Sequence, residues 1–130
     1  MKRIIQRNAE IIRRLHCEVH ERAKRRSESP EAMAAWEQAC ARFHSGYDSL
    51  AFPGGLAAGL ERLAQGDMAT AETAIAYLEL HPYFFRSQFN ATRFIRLLKK
   101  LELRPDLQLR LKAVRAAAAK RKRDKANGPE

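Results

Sequence analysis

Residues 3–26 read RIIQRNAEIIRRLHCEVHERAKRR, and the spacing of their apolar side chains is typical of a long amphipathic helix. Apolar residues recur at steps of three, four and seven, at Ile4, Ile11, Ile12, Leu15, Val19 and Ala23. The stretch ends in Lys24-Arg25-Arg26, three cations that the negative end of a helix dipole favours. These residues therefore predict a helix that packs one face against a core.

Capping residues and prolines divide the rest of the chain into further helices. Helix starts are predicted at Ser29-Pro30, Asp67, Asn90 and Pro105, and helix ends at Gly66 and Pro82. Residues 45–55 are interpreted as a connection, because Gly46 is followed by the turn sequence Phe52-Pro53-Gly54-Gly55. The predicted helices keep an apolar stripe, and no stretch alternates at the period of a strand.

The predicted fold is therefore all-α, a single compact bundle of five or six helices. Residues 1–119 form the predicted helical domain, in which Trp36, on the stripe between Met33 and Cys40, is expected to be buried. Residues 120–130 contain five Lys or Arg and hardly any apolar side chain, so we expect a flexible basic tail there.

The charge of the chain is sorted along its length. Residues 1–26 carry nine Lys/Arg and three acids, residues 27–82 two and eight, and residues 83–130 fourteen and four, which gives net charges of +6, −6 and +10. Such a chain can neutralise part of its charge internally when its segments pack, or it can present its basic ends to an anionic partner. Both interpretations are open on the sequence alone.

Composition and hydropathy exclude some classes of protein. No apolar run approaches the roughly 18 residues that a membrane-spanning helix needs, and charges recur from Lys2 onward, so a cytoplasmic protein without a membrane partner is expected. The two cysteines, Cys17 and Cys40, are expected to be reduced thiols in that compartment.

Few residues suggest catalysis or cofactor binding. His16 and His20 lie four apart on the first helix and face the same way, but a zinc site needs more ligands, and His44 and His81 are isolated in the sequence. Neither a glycine-rich phosphate loop nor a convergent pair of carboxylates is visible. We therefore expect no enzyme, no catalytic residue, no metal and no cofactor.

The segment Tyr83-Phe84-Phe85-Arg86 and the basic helix behind it are the best candidate for a binding site. Three aromatic residues at a helix break cannot all point inward, so one or two are expected near the surface beside Arg86. The predicted partner-binding residues are Tyr83, Phe84, Arg86, Arg93, Arg96 and Lys100. Aromatic residues beside arginine suit a protein interface, and they also suit base stacking next to phosphate. A hydrophobic plug with a solvated basic face is the third interpretation, because burial is the commonest use of aromatic side chains.

The stretch from Glu79 to Leu111 resembles a segment of small bacterial helical proteins, through its His-Pro-Tyr-Phe-Phe-Arg-Ser and Arg-Phe-Ile-Arg-Leu-Leu-Lys-Lys sequences. Small proteins of that kind often bind the product of a larger gene, and immunity proteins that neutralise toxins are among them. The resemblance implies a non-enzymatic immunity or inhibitor protein, and the basic face formed by Arg86, Arg93, Arg96 and Lys100 would favour a toxin domain with an acidic surface.

A second function stays open beside this one. The sequence pI of about 10.2 is that of many nucleic-acid-binding domains, and the basic N- and C-terminal segments could hold the phosphates of RNA or DNA. The sequence shows no helix-turn-helix, zinc-finger or RNA-binding motif. Protein binding is therefore the preferred hypothesis, and RNA or DNA binding is the alternative.

Overall fold

The computed structural model describes residues 1–127, and within them the chain forms six α-helices and no strand. Their bounds are α1 (Lys2–Ala23), α2 (Pro30–Ala51), α3 (Leu56–Ala64), α4 (Met68–Leu80), α5 (Ser87–Leu98) and α6 (Pro105–Ala126). The predicted all-α bundle is confirmed. None of the helices in this part of the chain combines the length and the hydropathy needed to cross a bilayer.

Helix α4 lies at the centre of the bundle and packs against α1, α3, α5 and α6. Its sequence is apolar on nearly every side, with Glu72 and Glu79 its only charged residues, which is the composition of a surrounded helix. Ile75 and Ala74 are completely buried, and Tyr77 is nearly so. The surrounding helices bury leucines and phenylalanines against them, including Leu63, Phe94 and Leu107.

Several predicted helix ends are confirmed by their hydrogen bonds. The Ser29 hydroxyl accepts from the amide of Ala32 at 3.0 Å, and the Asp67 carboxylate accepts from the amide of Thr70 at 3.0 Å. Pro105 is the first residue of α6, where its missing N–H costs nothing. Gly66 follows α3 with φ +85°, a conformation that suits glycine.

The predicted connection over residues 45–55 is wrong in its first half, since α2 continues through Gly46 to Ala51. Packing explains the difference. Tyr47 and Leu50 pack on the core and Ala51 is buried in it, so tertiary contacts keep this part helical in spite of the glycine. The turn itself begins at Phe52, whose ring is buried against Phe94 with ring centroids 4.9 Å apart.

Trp36 is not buried, contrary to the prediction from its stripe. It is half-buried, with the guanidinium of Arg26 4.9 Å from its ring centroid. Helices α1 and α2 pack along each other as a hairpin, and no residue between 13 and 38 is buried. The tip of this hairpin extends beyond the other helices, and two helices alone cannot enclose a large side chain.

The predicted tail differs from the structure as well. Helix α6 continues to Ala126, seven residues beyond Ala119, and its exposed end carries Lys120, Arg121, Lys122, Arg123 and Lys125. Alanine, lysine and arginine all favour the helix, which is why it continues without apolar contacts. Residues 128–130 of the predicted tail lie outside the described residues.

Candidate partner-binding surface

The candidate surface is built on the tight connection between α4 and α5. His81 ends α4 in the left-handed conformation, with φ 49° and ψ 57°, and Pro82 cannot continue the helix. Arg86, the N-cap of α5, is left-handed too, with φ 66° and ψ 13°. Two non-glycine residues in that region store backbone strain, which the surrounding contacts must hold in place.

Phe84 makes some of the contacts that hold the α4–α5 connection in place, and its side chain lies inside the protein. Only 6% of Phe84 is exposed, and its ring meets Tyr47 and Tyr77 edge to face, with centroids 6.1 and 6.3 Å apart. The prediction that Phe84 contacts a partner directly does not fit this position. Phe84 instead anchors the connection from below, whereas Tyr83 is 80% exposed, and Phe85 is 43% exposed with its ring packed against Phe43.

Tyr47 and Asn90 tie the connection to α2 by hydrogen bonds. The Tyr47 hydroxyl donates to the carbonyl of Phe85 at 2.6 Å and accepts from the Asn90 side-chain amide at 3.1 Å. Burial raises the pKa of the Tyr47 hydroxyl, so it keeps the proton that it donates. The predicted N-cap role of Asn90 is wrong, because α5 begins at Ser87 and Asn90 is buried within its first turn.

The earlier start of α5 brings an unpredicted residue, Phe89, into the surface. Phe89 is 53% exposed, and the guanidinium carbons of Arg86 and Arg93 each lie 5.4 Å from its ring centroid. The Arg86 guanidinium is also 5.7 Å from the ring of Phe85, which is 43% exposed. Arg86, Phe89 and Arg93 are spaced at steps of three and four, which places their side chains next to one another on a helix. The sequence predicts this contact only when the start of the helix is known.

We call Tyr83, Phe85, Arg86, Phe89 and Arg93 the arginine–aromatic surface. Tyr83 is 80% exposed, and its carbonyl accepts a hydrogen bond from Arg13 of α1. A shallow groove of about 470 Å³ continues from this surface onto α1 and is lined there by Arg13, His16 and Cys17. Exposed apolar groups that lie together and are rimmed by polar residues are typical of binding surfaces.

Two further predicted residues, Arg96 and Lys100, lie beside this surface without contacting its rings. Arg96 is one helical turn after Arg93, and Lys100 follows the end of α5. Both are exposed, and within residues 1–127 neither forms an ion pair. They extend the positive charge of the arginine–aromatic surface along one side of the molecule.

Ion pairs elsewhere neutralise part of the basic segments, as one interpretation of the charge pattern predicts. Glu79 of the acidic segment pairs with Lys2 of α1 and Arg110 of α6, and Glu72 pairs with Arg104. None of the ion pairs among the described residues involves Arg86, Arg93, Arg96 or Lys100. Arg86 and Arg93 therefore keep unpaired positive charge beside the exposed aromatic rings, although other cations among the described residues, including those at the end of α6, are outside these ion pairs too.

His16 and His20 lie at the α1 edge of this region. Their Nε2 atoms are 3.2 Å apart, and the His16 ring packs against Phe43 and Phe85, with centroids 5.2 and 5.0 Å away. Burial, and then the nearby charge of His20, lower the pKa of His16. No group of three or more His, Cys, Asp or Glu in the described part of the chain is arranged to hold a metal ion.

Comparison of the chain with protein-family models, with curated proteins and with solved structures gave no match.

Proposed function

We propose that this protein is a non-enzymatic binding module that recognises an acidic surface of a partner protein. The observation that carries the proposal is Phe89, an exposed ring held between the guanidinium groups of Arg86 and Arg93. Aromatic residues and arginine are the residue types that dominate binding energy at protein interfaces. Here they are rigidly placed, since Phe84 and Tyr47 anchor the backbone beneath them.

The strain at Arg86 supports a binding role for its side chain. A left-handed arginine costs about 1 kcal/mol relative to a glycine at the same position, and glycine would be the ordinary choice there. This position holds an arginine and not a glycine, and the Arg86 side chain extends over the rings of Phe85 and Phe89. This is the pattern expected when a side chain is retained for an interaction outside the protein.

An acidic partner follows from the charge around the rings. Arg86, Arg93, Arg96 and Lys100 are free of ion pairs within residues 1–127, so a carboxylate-rich surface would complement them. An inhibitor or immunity protein that covers an acidic surface of a toxin domain is the specific form of this proposal. The two free thiols, Cys17 and Cys40, fit a protein of the cytoplasm.

The test is co-purification of a tagged full-length chain from cells of its source, in about 0.3 M salt and after nuclease treatment. We expect a stoichiometric protein partner with the parent chain and its loss with Arg86→Gly. That variant removes the side chain and relieves the backbone strain, so its thermal midpoint should be unchanged or slightly higher. Arg25→Gly, the same change at an exposed arginine of the α1–α2 connection outside this surface, is the matched control. A partner captured equally by Arg86→Gly would exclude this surface as the binding site.

RNA or DNA binding is the second candidate, and the end of α6 favours it. Lys120, Arg121, Lys122, Arg123 and Lys125 project from an exposed helix with one acid, Asp124, among them. Such a helix can contact several phosphates, and binding of that kind falls steeply between 50 and 200 mM salt. Co-purification that disappears with nuclease and with removal of residues 120–130 would favour this candidate over a protein partner.

A further inference from the structure

The imidazole rings of His16 and His20 form a preorganised pair on one side of α1. They are one helical turn apart, and their rings meet nearly edge to face, with an interplanar angle of 74° and centroids 4.5 Å apart. Their Nε2 atoms are 3.2 Å from each other. In the metal-free protein one Nε2 donates its proton to the other, so at least one of the two atoms presents a lone pair.

That separation is compatible with two nitrogen ligands of a single metal ion. Metal–nitrogen bonds to Zn²⁺ are about 2.0–2.1 Å long. Two such bonds reach nitrogen atoms 3.2 Å apart when the angle between them is about 100–105°, between the octahedral and the tetrahedral value. When His16 is the acceptor of this hydrogen bond, its Nε2 lone pair already points toward His20, and a rotation of the exposed His20 side chain about its own bonds can bring the second lone pair to a common point without movement of the α1 backbone.

The rest of the protein holds one of the two rings in place. His16 is half buried, stacked on Phe43 at an interplanar angle of 29° and tilted against Phe85 at 40°. A ligand whose orientation is fixed before binding loses less conformational entropy when the metal arrives. His20 is exposed, so solvent and an incoming ion reach the pair.

We propose that His16 and His20 together bind one divalent transition-metal ion, of the class Ni²⁺, Cu²⁺ or Zn²⁺, through their Nε2 atoms. These ions favour imidazole ligands, whereas Mg²⁺ and Ca²⁺ favour oxygen. On binding, the histidine that donated from Nε2 carries its proton at Nδ1 instead. The protein supplies two ligands, and the remaining positions of the ion are filled by water or by a ligand from another molecule.

The site goes beyond the proposed partner binding and does not depend on it. It lies at the edge of the groove that also contains Phe85 and Arg86, and a bound ion would face solvent next to the arginine–aromatic surface. An ion with open coordination positions at that point can accept a His, Asp or Glu from an acidic partner. Metal affinity of the isolated chain is nevertheless measurable without any partner.

The experiment is calorimetric titration of the full-length chain with NiCl₂ and with ZnCl₂ at pH 7.5, in a buffer that does not chelate metals. We expect one ion per chain, and a loss of affinity of about tenfold or more in His20→Gln and in His16→Gln, because a single imidazole remains. His44→Gln and His81→Gln are matched controls that should bind as the parent does. Circular dichroism should show the same helix content in all four variants.

Other results would overturn the proposal. One is the absence of binding by the parent chain at millimolar Ni²⁺ and Zn²⁺. Another is unchanged affinity in His20→Gln, an exposed change that leaves the packing of His16 on Phe43 intact. Loss of Ni²⁺ binding in Cys17→Ser, with the two histidines present, would assign the ion to a thiolate and exclude the histidine pair as the complete protein ligand set.

Discussion

Arg110 donates two parallel hydrogen bonds to the carboxylate of Glu79, from Nε to Oε2 at 2.9 Å and from Nη2 to Oε1 at 2.8 Å. Lys2 adds a contact of 3.1 Å to the same carboxylate, so one side chain of α4 connects α1 and α6. These bonds hold the pKa of Glu79 at about 2, mainly through the hydrogen bonds from Arg110. The bidentate geometry makes this pair stronger than an ordinary surface pair.

The stability of the protein should therefore depend on pH through Glu79. Its folded-state pKa is lower than the unfolded value of 4.5, so its contribution is complete above pH 4.5 and is lost as the pH falls toward 2. We expect Glu79→Gln to lose about 1–2 kcal/mol of unfolding free energy at pH 7, after allowance for solvent screening, and to match the parent near pH 2. Thermal melts across this range measure it. Glu72→Gln, which removes a half-exposed pair, should change stability by less than about 0.5 kcal/mol. Parallel curves for Glu79→Gln and the parent would contradict the assignment.

Gly59→Ala should destabilise the protein by about 1–3 kcal/mol, because the site is already full. A Cβ at this position would lie 2.5 and 2.8 Å from two ring carbons of Phe52, and Phe52 is itself packed against Phe94. Gly46→Ala is the matched control, also within a helix, where the nearest atom to the new Cβ is Leu50 Cδ1 at 3.6 Å. Gly46→Ala should stabilise by about 0.5–1 kcal/mol, since alanine favours the helix. Urea melts of the two variants should move in opposite directions.

Tyr47→Phe should cost about 1–3 kcal/mol, since it removes the donor to the Phe85 carbonyl and leaves the buried Asn90 amide without its acceptor. A double-mutant cycle with Asn90→Ala should show a coupling of about 1 kcal/mol between the two changes. Tyr83→Phe removes the hydroxyl of an exposed residue and should stay within about 0.5 kcal/mol of the parent. Strictly additive losses would show that the Tyr47–Asn90 hydrogen bond contributes nothing.

Reversing two charges with Arg93→Glu and Arg96→Glu should abolish partner binding and leave the helical fold intact. Two glutamates would face an acidic partner, and like charges at a complementary interface cost several kcal/mol, on the order of a hundredfold or more in affinity. Calorimetry with the captured partner measures the loss, and circular dichroism checks the fold. The control is Arg123→Glu with Lys125→Glu, the same reversal on the exposed end of α6. If only this control lost binding, the end of α6 would be the contact.

Trp36 is the sole tryptophan, so intrinsic fluorescence reports on the hairpin of α1 and α2. Because the ring is half-buried beside Arg26, we expect emission between that of an enclosed tryptophan and that of tryptophan in water, and partial quenching by acrylamide. Trp36→Ala should cost about 1 kcal/mol, below the 3–5 kcal/mol that is typical of a fully buried aromatic residue. A blue-shifted, protected emission would place Trp36 in an enclosed environment, which this hairpin does not provide.

Local patterns in the sequence determined which segments are helical and where most of them begin. Ser29, Asp67 and Pro105 mark helix starts by their own chemistry, because a capping hydrogen bond or a missing N–H involves only neighbouring residues. The apolar stripes of α4 and α6 contain residues that the structure buries, such as Ile75 and Leu107. The pairing of the acidic segment with the basic segments was also predicted, as one of two interpretations of how charge is distributed along the sequence.

The tertiary structure decided which side chains of these helices are enclosed and which face solvent. Trp36 and Phe52 are both large apolar residues, yet the first lies where two helices meet alone and the second where several converge. Asn90, a good N-cap by residue type, is instead buried within α5, where Tyr47, 43 positions away, accepts a hydrogen bond from its side-chain amide. The guanidinium of Arg86 lies over the ring of Phe89, and Arg86 itself has a left-handed backbone conformation that distant contacts hold in place. The burial of a side chain and the strain that a backbone can hold depend on how many helices surround the residue. The spacing of residues along one helix does not show how many other helices pack around it.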